Sequence, residues 1–205
     1  MNKIKIFINR VLHLFEVMHI KNDRRAVFLT FDDGPEPDIT EFVLEELKRH
    51  QFKATFFCRG DNAESHPHLV ERIINEGHSI GNHTYSHLDS FQTPTSDYVT
   101  DTIRADAILH THLFRPPKGC ITLSAFLKLF RKYRIVYWRV MSGDSDLQRF
   151  DKAKCQKRLV NNTKSGDVVL FHFCHRHEKE TRQLLPDYLD WLTKNGYHSE
   201  AIVFS

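Results

Sequence analysis

Short apolar runs alternate along the chain with longer stretches whose apolar residues recur every three or four positions. The runs at 27–31, 53–58, 79–80, 112–115, 135–138, 168–172 and 201–204 predict buried strands, most of them rich in Val, Ile, Leu and Phe. The stretches at 39–50, 66–76, 96–110, 124–131, 152–162 and 181–195 predict helices. Short strands separated by helices imply a parallel sheet with covered faces, because each crossover lays its helix against the sheet. The fold expected is α/β, a distorted (β/α) barrel of about seven parallel strands. Reactive side chains in such barrels gather at the carboxyl ends of the strands, and Asp32, Asp33, Arg115 and His172 all fall there.

A chain of 205 residues suffices for one substantial core, so a single domain is expected over 25–205. Residues 1–24 read as an apolar and basic extension packed on that domain. Asn9, Arg10, His13 and Glu16 interrupt its apolar residues too often for a membrane span. It shows no small-residue cleavage site of a secretory leader, so the cytoplasm or the inner face of the membrane is the expected location. Composition is that of a globular protein, with 40% hydrophobic and 27% charged residues. The net charge of +3 comes without a dense Lys/Arg cluster, which argues against nucleic acid as a partner. Cys58, Cys120, Cys155 and Cys174 lack paired spacing and read as free thiols.

Candidate chemistry enters with Thr30-Phe31-Asp32-Asp33-Gly34-Pro35, where an apolar run stops at two adjacent carboxylates. About fifty residues later comes His83-Thr84-Tyr85-Ser86-His87, two imidazoles four apart that can face one way on a helical turn. Gly81-Asn82 before them suits a tight turn out of the preceding strand. Asp33, His83 and His87 then supply three ligands with a fourth position open, the ligand count of a catalytic zinc site, and Asp32 is left as the base. Thr84 stands where a metalloprotease has its Glu, so that arrangement is absent. Singly, each feature has a plainer counterpart: a polar Asp turn, or two His on an exposed helix. Cys174, His175 and His177 read as loop residues near the mouth rather than a second metal site, and Phe52, Phe56 and Phe57 as core.

Further segments complete a pattern. Arg115-Pro116-Pro117-Lys118-Gly119, Trp138 followed by Asp144, and Leu170-Phe171-His172 come after the Asp and His segments in that order. Together the five resemble the motifs of the polysaccharide deacetylases of NodB-homology type, carbohydrate esterase family four. The resemblance implies a metal-dependent hydrolase that removes N-acetyl groups from an amino sugar in an oligo- or polysaccharide of chitooligosaccharide or peptidoglycan type. It implies Asp32 as general base, Asp33, His83 and His87 as metal ligands, and His172 as general acid. Arg115 would orient Asp32, and Asp144 would tune His172. Zinc is the expected metal, with cobalt or nickel also compatible with such ligands. Two positions depart from the family: Lys118 replaces a usual aromatic residue, and Phe173 a frequent Asp. They keep open an O-deacetylase or a catalytically silent carbohydrate-binding relative.

Overall fold

The computed structural model describes residues 16–22 and 24–204. Most of the expected N-terminal extension, residues 1–15, lies outside them. Strand β2 (Ala26–Asp32) is the axis of the molecule, and all seven of its residues are buried. It lies between β3 (Ala54–Cys58) and β8 (Val168–His172), parallel to both. A strand so flanked, with helices over the sheet, has no solvent face, which explains a continuous apolar run rather than alternation. From β3 the sheet continues through β4 (Ser79–Asn82), β5 (Leu113–Phe114) and β6 (Arg134–Val136), and from β8 to β7 (Val140–Met141). These seven strands are parallel and curl into a half-barrel.

The half-barrel is open at one seam. The expected strand at 135–138 ends at Val136 as β6, which pairs β5, and the separate β7 that follows at Val140 pairs β8. Only residues 137–139 separate them, so the two ends of the ladder lie near each other without pairing. The chain's beginning fills this gap. Strand β1 (Glu16–Val17) pairs with β6, Tyr137 N–H donates to the Val17 carbonyl (2.9 Å), and Val168 N–H to that of Met18 (3.2 Å).

Among the described residues, seven α-helices cover the sheet: α1 (Ile39–Arg49), α2 (Gly60–Ser65), α3 (Pro67–Asn75), α4 (Thr95–Leu109), α5 (Leu123–Leu129), α6 (Lys152–Asn162) and α7 (Glu178–Lys194). The short α2 was not expected from the pattern. The expected strand at 201–204 is not one; β9 (His198–Ser199) pairs instead with Ala26 and Val27. From Leu29 onward β2 is paired on both sides, so only its first residues can accept another strand. Ile202 is still buried, and its N–H donates to Thr55 Oγ1 at 2.8 Å. As expected, Phe52, Phe56 and Phe57 are core; Phe31 stacks on Phe56 at 5.2 Å between centroids, and Phe173 meets Phe56 edge-on at 5.1 Å.

Candidate metal and proton-transfer site

The carboxyl ends of β2, β5 and β8 meet at one end of the half-barrel. Asp32 is the last residue of β2 and is 4% exposed. Its Oδ1 accepts from Arg115 Nη1 at 2.7 Å, and the same nitrogen donates to Thr30 Oγ1 at 2.8 Å. Arg115 Nε and Nη2 donate to the carbonyls of Val136 and Tyr137, and its plane lies 4.1 Å above the Phe57 ring. This wholly buried guanidinium therefore has its fork fixed by four bonds, which leaves Asp32 Oδ1 one geometry and Oδ2 free to face the cavity.

The two histidines do not share a helical turn. Residues 83–87 form an irregular loop after β4, with Thr84 (φ 62°) and His87 (φ 56°) in left-handed conformation. Side chains hold that shape. Asn82 Oδ1 accepts the Thr84 N–H (2.8 Å), and Asp101 Oδ2 accepts those of Tyr85 (2.9 Å) and Ser86 (3.0 Å). Asp101 sits on α4, so tertiary contact replaces the helical hydrogen bonds that the four-residue spacing suggested. Gly81 is not a turn either. It keeps ordinary strand geometry, and its missing Cβ makes room for the Phe57 ring.

The loop brings His83 Nε2 to 3.4 Å and His87 Nε2 to 3.2 Å from Asp33 Oδ1. That oxygen is buried and has no hydrogen-bond partner among the described residues. His83 Nδ1 lies 2.7 Å from the Arg115 carbonyl and must donate to it, so its Nε2 carries a lone pair toward the carboxylate. An imidazole lone pair aimed at an unpartnered carboxylate oxygen is repulsive unless a cation lies between them. Asp33, His83 and His87 thus fit a divalent metal by donor type and orientation.

His172, the last residue of β8, faces the same space. Its Nδ1 is 2.8 Å from Asp144 Oδ1, and its backbone N–H donates to Oδ2 at 2.7 Å. Ser142 and Thr181 hydroxyls complete the Asp144 shell at 2.7 and 3.0 Å. Burial lowers the affinity of His172 for a proton, but the Asp144 charge and hydrogen bond outweigh it and raise the pKa to about 9.

Residues 19–138, more than half of the chain, match the family model described as polysaccharide deacetylase. The chain belongs to the polysaccharide deacetylase family. A peptidoglycan-N-acetylglucosamine deacetylase of Bacillus cereus is 32% identical over 184 residues, 87% of this chain and 86% of its own length. The peptidoglycan-N-acetylmuramic acid deacetylase PdaA of Bacillus subtilis is 28% identical over 95% of this chain and 77% of its own length. Among solved structures, the Bc1960 peptidoglycan N-acetylglucosamine deacetylase superposes with a TM-score of 0.84 at 30% identity, covering 94% of this chain and 92% of that one. A family 4 carbohydrate esterase from Streptomyces lividans, in complex with acetate, gives 0.76 at 26% identity over 87% of this chain and 93% of its own.

In this deacetylase the assembled groups line a cavity of about 320 Å³, together with Lys118, Trp138, Met141 and His177. Lys118 lies on its wall and pairs with Asp89 at 3.1 Å. Phe173 does not reach it. That ring is fully buried against Phe31 and Phe56, and a Cβ on Gly34 would come within 2.5 Å of it, so Phe173 serves the core.

Cys174, His175 and His177 lie on the connection after β8, beside the cavity, as read from the sequence, but they are not alike. His175 is exposed beside Glu36, but Cys174 and His177 are buried, and His177 lines the cavity. Sequence reasoning also missed the groups that position the others: Thr30 under Arg115, Asn62 holding the Asp33 carbonyl at 2.8 Å, Asn82, Asp101 and Thr181. The threonine of the first motif was visible. Its hydroxyl donates to the Val169 carbonyl while accepting from Arg115, which a threonine buried in a central strand could have suggested.

Proposed function

We propose that this deacetylase hydrolyses N-acetyl groups on the amino sugars of peptidoglycan, using Asp32 as base and His172 as acid on either side of a metal held by Asp33, His83 and His87. One observation carries the reading: an unpartnered Asp33 oxygen facing two imidazole nitrogens, with a clamped carboxylate and a carboxylate-backed imidazole lining the same cavity. A divalent cation there, zinc by donor set and cobalt or nickel next, supplies Lewis acidity to the acetyl carbonyl and acidifies the attacking water.

The remaining work falls to the chain. Arg115 holds Asp32 so that its free Oδ2 takes the proton of the attacking water as the new C–O bond forms. The backbone N–H of Lys118 on the cavity wall meets the developing oxyanion, a contact indifferent to the side chain that replaced an aromatic one. With Nδ1–H donated to Asp144, His172 presents Nε2–H and delivers that proton to the departing nitrogen. The C–N bond breaks, and acetate and a free amine leave. The substrate class is supported by the relatives from both Bacillus species, whose names specify peptidoglycan N-acetylglucosamine and N-acetylmuramic acid.

The test is acetate release by chelator-stripped protein resupplied with zinc, cobalt or nickel, on polymeric peptidoglycan, lipid-linked precursor and chitooligosaccharide. Metal-dependent release from either peptidoglycan form supports the proposal. Release from chitooligosaccharide alone would overturn the substrate, and release of O-acetyl alone would overturn the bond.

A further inference from the structure

Two buried donors beside this cavity have no part in the proposed reaction. Cys174 and His177 are each 6% exposed, on the segment that leaves β8 after His172. A short 3-10 turn, His175–His177, in which His177 N–H donates to the Cys174 carbonyl at 3.1 Å, turns the chain back so that both side chains approach Asp33. One donor atom from each of the three residues lies within 4.8 Å of the other two. Cys174 Sγ is 3.9 Å from Asp33 Oδ2, whereas His83 and His87 face Oδ1. His177 Nδ1 is buried without a hydrogen-bond partner among the described residues. An unsatisfied buried imidazole nitrogen is costly, and ligation relieves that cost.

We propose that Asp33, Cys174 and His177 form a second divalent-cation site that shares Asp33 with the first, Oδ1 serving one ion and Oδ2 the other. The inference rests on reading Asp33, His83 and His87 as a metal site. One thiol, one imidazole and one carboxylate select a borderline or soft cation such as zinc or cobalt over magnesium or calcium. Binding replaces the Cys174 S–H proton, which passes to solvent, and involves no change of oxidation state. The second ion lies near the proposed acid, since the His177 and His172 rings are 4.9 Å apart. Because His177 lines the cavity beside His172, an ion held there narrows the space in which the substrate meets the acid, so filling this site slows the reaction and zinc in excess is inhibitory.

Cobalt titration of the purified chain, followed by absorption and by metal analysis after desalting, tests this. Wild type is expected to hold two equivalents, one of them with a thiolate-to-cobalt charge-transfer band in the near ultraviolet. Cys174→Ser and His177→Asn should each hold one. The Ser variant lacks the band and resists inhibition by excess zinc, and circular dichroism confirms that both variants fold. A His83→Asn, His87→Asn double variant should retain one equivalent and its band. Wild type saturating at one equivalent without the band overturns the second site while leaving the first. One equivalent carrying the band overturns the shared arrangement, and a double-His variant that still holds two overturns the reading of the first site instead.

Discussion

Asp32 and Asp33 are adjacent in sequence and differ in everything else. Asp32 Oδ1 is paired with a buried guanidinium, while Asp33 Oδ1 has no hydrogen-bond partner among the described residues and faces two imidazoles. Their proposed roles differ accordingly, and Asp32→Asn should cut turnover by about 10²- to 10⁴-fold, the usual weight of a general base, with metal content unchanged. Metal analysis and acetate release on the same preparation check both halves; near-wild-type turnover would remove Asp32 as base. For His172 the sign follows from its pKa, raised from 6.5 to about 9 by Asp144. The protonated acid persists to about pH 9, so the alkaline limb of kcat should fall there. Asp144→Asn removes the charge that offsets burial, and the limb should move down to pH 6.5 or lower. A pH–rate profile of both proteins reads this directly. The same shift makes the pair a source of stability that is complete below pH 6.5 and lost as pH rises through about 9.

At the scale of elements, the strands that carry the chemistry were the most legible in the sequence, and the His-bearing segment was the least. The predicted 168–172 coincides with β8, and 27–31 lies within β2, because strands buried on both faces show as unbroken apolar runs. The segment 83–87 has helical spacing but takes its shape from Asn82 and from Asp101 on α4, eighteen residues beyond His83, and no local pattern records such a bond. The approach of β3 to β4 depends on Gly81, where any Cβ would run into Phe57, the ring on which Arg115 rests. Gly81→Ala should destabilise by about 1–3 kcal/mol through overpacking. Metal affinity should fall with it, since His83 follows two residues later. Urea denaturation and metal titration measure the two effects; an unchanged midpoint would show that Phe57 moves aside freely.

The whole molecule is an open half-barrel, and its seam is where the chain's early residues matter. Glu16 and Val17 pair with β6, the Val17 and Met18 carbonyls accept from Tyr137 and Val168, and Val17 and Ile20 pack on the cluster containing Phe28 and Val136. A chain beginning at Arg24 should therefore lose about 2 kcal/mol from the two hydrogen bonds, before packing is counted. That corresponds to roughly 4–8 °C in Tm for a chain of this size, measurable by calorimetry. An unchanged Tm would show the seam to be self-sufficient.

The sequence by itself determined the repeating strand and helix order, the parallel sheet, and which residues are the candidates for the chemistry. Apolar periodicity reflects burial face by face, and Asp, His and Arg at strand ends are local facts that survive without coordinates. Only the tertiary structure decided how those residues meet. It placed the unpartnered Asp33 oxygen against two imidazoles, clamped Asp32 with Arg115 from eighty-three positions away, sent Phe173 into the core, and buried Cys174 and His177 beside the site. The reason is physical: a hydrogen-bonding partner, a lone-pair direction and a desolvated environment are properties of neighbours in space, and a chain folded through repeated crossovers draws those neighbours from distant parts of its length.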